Sequence, residues 1–455
     1  MRCIRACVAL TMIAATATAT LSTTRAATAP AQRGAIARSP AATDVSALDL
    51  IELEIGYTTL LSVYYKPVAP KTLVDGARTG LTAYLVTRGI DATLPYAPAH
   101  IGRGAGGDFV TKLVLDATLR HPKRVTARGL VQAAVAGEAA AVRDPYTLLF
   151  RPREYRAFDA YLGNDAFGGI GAMLAIDSSG VVRVESTFAD GPAQRAGVRA
   201  GDAIVAIDGH SVSGRDAASV GRALRGKIGS TVRVSLVRDG RPLGAPIAIE
   251  RAKIAPPVVT ASTVEPGVGY VRLATFGDDA AAQVRSAIDR LQRDGTKALV
   301  LDLRGNGGGY GDEARKVAAL FVSGPIFSTR DRTEATRVER ASGAVAFAGA
   351  MAVLVDGDTA SASEIVAGAL QDDGRATIVG TKTFGKGVVQ SIFPLPDGAA
   401  LKVTTARYFT PKGRAIDRTG LEPDVVVAAR ANAVRGDPAT DAQLARALDV
   451  VRNGL

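Results

Sequence analysis

Residues 351–390 read MAVLVDGDTASASEIVAGALQDDGRATIVGTKTFGKGVVQ, and the reading of the whole chain starts from them. The apolar run Met351–Val355 has the character of a short buried strand, and Asp356-Gly357-Asp358 of a sharp turn. A helix of small residues is predicted to begin near Ser361 and to end around Asp373-Gly374. That order places a hydroxyl at a helix N-terminus, where unpaired backbone N–H groups favour developing negative charge. A second apolar run, Ala376–Gly380, leads into Phe384-Gly385-Lys386-Gly387. A serine at a helix start and a lysine among small and apolar neighbours are the parts of a Ser–Lys hydrolase. The lysine can act as a base only if loss of hydration lowers its pKa from about 10.4 towards roughly 7–8.

Working outward, 455 residues suggest two to three domains with ample core. Apolar residues make up 47% of the chain but aromatics only 5%, with no tryptophan, so the core is built from Ala, Val, Leu and Ile. The formal charge of +11 rests on arginines scattered through every segment, the pattern of a solvated surface and not of a nucleic-acid interface. The first residues have the form of a secretory leader: Arg2 and Arg5, the apolar-to-small stretch Ala6–Leu21, then small residues around Ala26 and Ala29. The stretch is threonine-rich and too short of strong hydrophobes for a membrane anchor. Cleavage near Ala26 or Ala29 would remove both cysteines, Cys3 and Cys7, leaving no thiol for disulfides, metal thiolates or catalysis. The expectation is export, to a periplasmic or extracellular site, with or without membrane association.

Residues 30–43, rich in Ala, Pro and Arg, read as a linker, and 44–165 as a helical region in which nothing carries chemistry. At Gly169-Ile170-Gly171-Ala172 the pattern changes to short strands and glycine turns. It continues through Gly191-Pro192-Ala193, Gly201-Asp202 and Ile207-Asp208-Gly209 to the alternating strand Thr231–Arg238. This order resembles a PDZ domain over 166–252. The resemblance implies a groove that takes an extended peptide as an added strand, with the 169–172 loop facing its terminal carboxylate. After the Pro256-Pro257 linker, strand–helix–strand units run to about Val427, which argues one layered α/β domain over 253–430. Asp397-Gly398 between two apolar runs marks a β-hairpin. Residues 431–455 read as a loose stretch and a terminal helix, Ala439–Val451.

The core resembles the carboxy-terminal processing proteases, the tail-specific serine peptidases. The stretches that carry the likeness are Asp302-Leu303-Arg304 with Asn306 and Gly308-Gly309, Thr359-Ala360-Ser361-Ala362-Ser363-Glu364, Gln371-Asp372, and Thr383-Phe384-Gly385-Lys386-Gly387 with Gln390. Arg407-Tyr408-Phe409-Thr410-Pro411, Gly420-Leu421-Glu422-Pro423-Asp424 and the upstream Asp144-Pro145-Tyr146-Thr147 fit as well. The resemblance implies a multidomain α+β chain: a crotonase- or Clp-protease-like layered core, a PDZ domain and an N-terminal helical domain. It assigns Ser361 as nucleophile, Lys386 as general base and Gln390 as the residue that orients the lysine. It also points to Asp372, which reads as orienting or structural at a helix end. A tetrahedral oxyanion needs donors. The Ala362 N–H, next to the nucleophile, is the first, and Gly308 is chosen for the second from the turn 307–309, with Gly309 left open. Position 307 is Gly where this family often has Pro.

Counting removes other mechanisms. The only histidines are His100, His121 and His210, none in the core, and no G-x-S-x-G elbow is present. Three dispersed histidines offer no metal site, and no phosphate-cradling loop occurs, so no cofactor is expected. The reading is an exported serine endopeptidase acting on proteins with exposed C-termini. The helical ends could serve in a homo-oligomer, as in some relatives, and need for an activating adaptor is open. The first rival is a peptide-binding scaffold or chaperone with an idle catalytic pair. The second is a hydrolase or isomerase of small acyl compounds, for which a peptide groove has no obvious use.

Overall fold

The structure is a computed structural model describing residues 45–91, 93–163, 167–177, 179–188, 190–254, 258–430 and 433–454. The expected leader, the linker 30–43, both cysteines and the Pro256-Pro257 linker lie outside the described residues.

Helical spacing in the first region yields the helices Ala47–Val63, Pro70–Val86, Arg103–Arg120 and Ala127–Ala141. The first is closed by a capping box: Asp49 takes the Ser46 N–H at 2.9 Å, and Ser46 Oγ takes the Asp49 N–H at 3.2 Å. The second and fourth helices touch backbone to backbone, since a Cβ on Gly76 would stand 2.5 Å from the Gly137 carbonyl oxygen. The region is not purely helical. Leu148–Phe150 is a strand, paired antiparallel with Ala400–Phe409 in the register Leu148↔Lys402. The partner hairpin, Val388–Pro394 with Ala400–Phe409, sends its tip into the bundle, where Leu395, Ala399, Leu401 and Val403 share one apolar cluster with Leu60, Leu81 and Val131.

In the second region a sheet runs in the order Ala172–Ile176, Val182–Thr187, Ala203–Ile207, Thr231–Arg238, Arg241–Pro242 around the helix Ala217–Leu224. Phe167–Gly169 pairs elsewhere, with Ala252–Ile254. An ion pair of 3.2 Å, Arg272 to Glu185, joins this sheet to the core.

The core sheet has the order Val259–Glu265, Val268–Leu273, Ala298–Asp302, Ala350–Val355, Thr377–Gly380, Val425–Val426, all parallel after the first pair. Ala298–Asp302 is buried along its whole length, as a strand covered on both faces must be. The helices Ala280–Arg293, Gly311–Ala318 and Ala362–Asp372 cover one face. The terminal helix, Ala442–Arg452, covers the other, packing Leu444, Ala447, Leu448 and Val451 against Tyr270, Val300 and Leu354. Its apolar side therefore lies against its own sheet. A second, antiparallel sheet, with Pro325–Arg330 and Thr336–Arg340 beside the hairpin, completes the layers.

Candidate active site

Ser361 stands where the strand Ala350–Val355, after a turn, feeds the helix Ala362–Asp372. Its backbone is at φ +58°, ψ −116°, a conformation few non-glycine residues adopt and one that persists only where neighbours enforce it. Those neighbours are visible. Thr359 Oγ1 donates to the Leu303 carbonyl at 3.0 Å, the Ala360 N–H to the Asn306 carbonyl at 3.0 Å, and Tyr408 Oη to the Ser361 carbonyl at 3.1 Å. The Ser361 side chain makes no cap to its own helix. Ser363 is fully buried, with its hydroxyl given to the Asn306 carbonyl at 2.8 Å. Of the two serines, only Ser361 is partly exposed.

Lys386 follows the strand Thr377–Gly380 on a loop held by Glu364. The Glu364 carboxylate, fully buried in the first turn of the serine's helix, accepts four donors. Oε1 takes Thr383 Oγ1 at 2.5 Å and the Gly385 N–H at 2.8 Å; Oε2 takes the Ser361 N–H at 2.8 Å and the Lys386 N–H at 2.9 Å. One oxygen thus fixes the backbone of both candidate catalytic residues. The Lys386 ammonium has no carboxylate at ion-pair distance among the described residues; Nζ lies 5.0 Å from the centre of the Tyr146 ring. Burial pushes its pKa down to about 8, assisted by the charge of Lys402 and opposed by Glu364 and Asp144.

The glycine turn after Ala298–Asp302 reaches the serine. Gly308 has φ +105°, and a Cβ there would stand 2.8 Å from Ser361 Cβ and 3.0 Å from the Ala362 nitrogen, so only glycine fits. Its N–H, expected as an oxyanion donor, is given to Asn306 Oδ1 at 2.9 Å in this conformation. The amides of Ala362 and Gly309 have no acceptor among the described residues. Gln390 is placed on the hairpin strand just beyond a bulge, and its amide donates to the Val388 carbonyl at 3.3 Å, not to Lys386. Asp372 closes the far end of the serine's helix. It accepts the Lys412 N–H at 2.7 Å and pairs with Arg414, which makes it a clamp on the loop that follows Phe409.

In the second region Gly169 belongs to the two-stranded ribbon and Ile170 is buried, its carbonyl accepting the Ala193 N–H at 2.7 Å. The Gly171 carbonyl accepts the Phe188 N–H at 2.9 Å. Ala172 opens the edge strand, which runs beside the helix Ala217–Leu224.

Sequence reading passed over Glu364, Asn306, Tyr146 and Tyr408 as working parts. For Glu364 a signal existed, because Ser361 and Glu364 stand at capping-box spacing. For the tyrosines the signal was only that Tyr146 and Tyr408 stand in stretches that fit the family; their contacts with Lys386 and Ser361 come from distant segments.

Residues 267–427 match the family model of peptidase family S41, and 184–238 a PDZ domain model. The carboxy-terminal-processing protease of Bartonella bacilliformis is 40% identical over 270 residues, which cover 57% of this chain and 61% of that one. The match therefore spans less than two thirds of that relative. The carboxyl-terminal-processing protease of a Picosynechococcus species is 35% identical over 361 residues, 75% of this chain and 87% of the other. Among solved structures, a photosystem II D1 C-terminal processing protease aligns with a TM-score of 0.50 and 27% identity, covering 87% of this chain and 96% of that one.

Proposed function

The chain belongs to the carboxyl-terminal processing proteases of peptidase family S41, serine-type peptidases, and from that membership we propose an exported endopeptidase that cuts proteins near their C-termini with Ser361 and Lys386. Neutral Lys386 takes the Ser361 proton as Oγ attacks the scissile carbonyl. The oxyanion is received by the Ala362 N–H and an amide of the glycine turn. The lysine then returns the proton to the leaving amine, and water hydrolyses the acyl-enzyme by the same route. The observation that carries this reading is the Glu364 oxygen that holds both backbones, with a lysine beside it that has no carboxylate partner among the described residues and a pKa of about 8.

The PDZ domain would receive the substrate's terminal residues along the edge strand Ala172–Ile176, with 169–172 at the carboxylate. Gln390 would turn from Val388 towards the lysine in the working state, and the Gly308 N–H would leave Asn306 or yield its role to Gly309. Export rests on the leader-like first residues; no helix among the described residues is long and apolar enough to cross a membrane.

The test is incubation of an unfolded protein bearing an apolar C-terminal tail with the wild type and with Ser361→Ala, followed by mass spectrometry of the released peptides. Cleavage near the tail by the wild type alone is expected. Equal turnover by both proteins would instead leave a peptide-binding scaffold.

A further inference from the structure

The residues after 430 lie beyond the matched peptidase region and take no part in the steps above, yet they grip the root of the glycine turn. Arg304 opens that turn with its guanidinium buried between two carboxylates. It donates to Asp302 Oδ1 at 2.9 Å and Oδ2 at 2.6 Å, to Asp441 Oδ1 at 2.8 Å and Oδ2 at 2.7 Å, and to Gln443 Oε1 at 2.9 Å. Asp441 is also the N-cap of the terminal helix, taking the Leu444 N–H at 3.0 Å. Arg435 holds the backbone of the same turn. Its Nη1 donates to the Arg304 carbonyl at 2.8 Å, and its Nη2 to Asp356 Oδ2 at 3.2 Å. Asp356 Oδ1 in turn accepts the Gly305 N–H at 2.9 Å, and Asp356 lies in the turn that leads to Ser361.

From Arg304 the turn runs to Asn306, which meets the serine segment directly. The Asn306 carbonyl accepts the Ala360 N–H and Ser363 Oγ, its Oδ1 accepts the Gly308 N–H, and its amide donates to the Leu273 carbonyl at 2.8 Å. The side-chain links of Arg304 and Asn306 are short and buried, those of Arg435 part-buried, and through them a shift of Arg304 is passed on to Gly308 and Ser361. A buried ion cluster of this kind adds little net stability over an apolar replacement, because removing its charges from water costs about as much as their attraction returns. What it does supply is fixed geometry, and misplacement by about 1 Å near a reacting centre can cost on the order of 10²-fold in rate.

We propose that Arg435 and Asp441 are positioning residues for the reaction: the C-terminal segment sets the glycine turn against Ser361, so the peptidase core is incomplete without it. The proposal rests on the reading of Ser361 as nucleophile.

Arg435 is partly exposed, so Arg435→Gln in the full chain is expected to fold. Asp441→Asn keeps a good N-cap while removing the negative charge that faces Arg304. The measurements are kcat and KM on a tailed unfolded substrate, and the rate at which a fluorophosphonate labels Ser361, taken well below the melting temperature of each protein. Both variants are expected to lose about tenfold or more in kcat and in labelling rate, with KM changed by less than about twofold. Arg435→Lys should recover part of the loss, since an ammonium reaches one acceptor where the guanidinium bridges two. If folded Arg435→Gln labels at the wild-type rate, the positioning role is overturned, whatever Asp441→Asn does. If the wild type itself does not label at Ser361, the nucleophile assignment falls and this proposal with it.

Discussion

Glu364 holds Lys386 by its backbone and not by its ammonium: Oε2 accepts the Lys386 N–H at 2.9 Å, while no carboxylate pairs with Nζ among the described residues. The distinction decides the chemistry. A carboxylate on Nζ would keep the lysine charged, whereas one on the peptide fixes the loop and leaves burial to lower the pKa to about 8.

If Lys386 is the base, activity should rise with pH through about 8, as it loses its proton, and level off above it. A profile of kcat/KM from pH 6 to 10 reads this directly. Lys386→Arg stays charged across that range and should lose about 10²–10⁴-fold or more. A variant that cleaves at the wild-type rate would remove lysine from the base's role.

Glu364→Gln keeps the shape but offers one acceptor oxygen where four donors converge, so at least one buried N–H is left without a partner. The expected cost is about 1–3 kcal/mol of stability, with a fall in kcat of about tenfold or more. The lost negative charge also ceases to hold the lysine's proton, so the acid limb of the residual activity should move to lower pH. Thermal melting and the pH profile check the two halves separately.

Gly308→Ala drives a Cβ to 2.8 Å from Ser361 Cβ at a φ that disfavours any side chain. It should lower kcat about 10²-fold or more by displacing the turn and the oxyanion donors proposed on it, while any binding of a C-terminal peptide to the PDZ domain stays as in the wild type. Calorimetric titration of that peptide separates the two.

The parts of this architecture written in local pattern are legible in the amino-acid sequence. The apolar run ending at Val355, the small-residue helix from Ser361 and the glycines around Lys386 each declare their own conformation, and the structure has them as strand, helix and loop. The Asp397-Gly398 turn likewise announces the hairpin. Contacts across the chain are not legible. Nothing near Leu148 says that it pairs with Lys402, and nothing near Tyr146 says that its ring faces Lys386. Arg304 shows the limit most plainly: its charge is visible in sequence, but its partner Asp441 lies 137 residues on. Side-chain direction is equally non-local, and the present partners of the Gln390 and Gly308 amides emerge only in three dimensions.

In the helical bundle, Glu138 is fully buried and neither carboxylate oxygen has a partner among the described residues. Burial raises its pKa well above 4.5, so the folded protein keeps the proton that the unfolded chain gives up. Its stability contribution is whole below that value and declines as pH rises towards the folded pKa. Glu138→Leu should remove its share of the decline, leaving that of Glu52, whose pKa burial raises to about 7, and stabilise the protein at pH 8 by about 1–3 kcal/mol. Denaturant unfolding at pH 5 and pH 8 measures the difference, and a variant less stable than wild type at pH 8 would refute it.

The hairpin that carries Gln390 ends inside the helices, with Leu395, Ala399, Leu401 and Val403 filling their interior. The protein consequently has no seam between these two parts along which its gene could be divided. Excising residues 45–141 would strip four greasy side chains bare on the strands beside the lysine, and the helices expressed alone would close around a hollow.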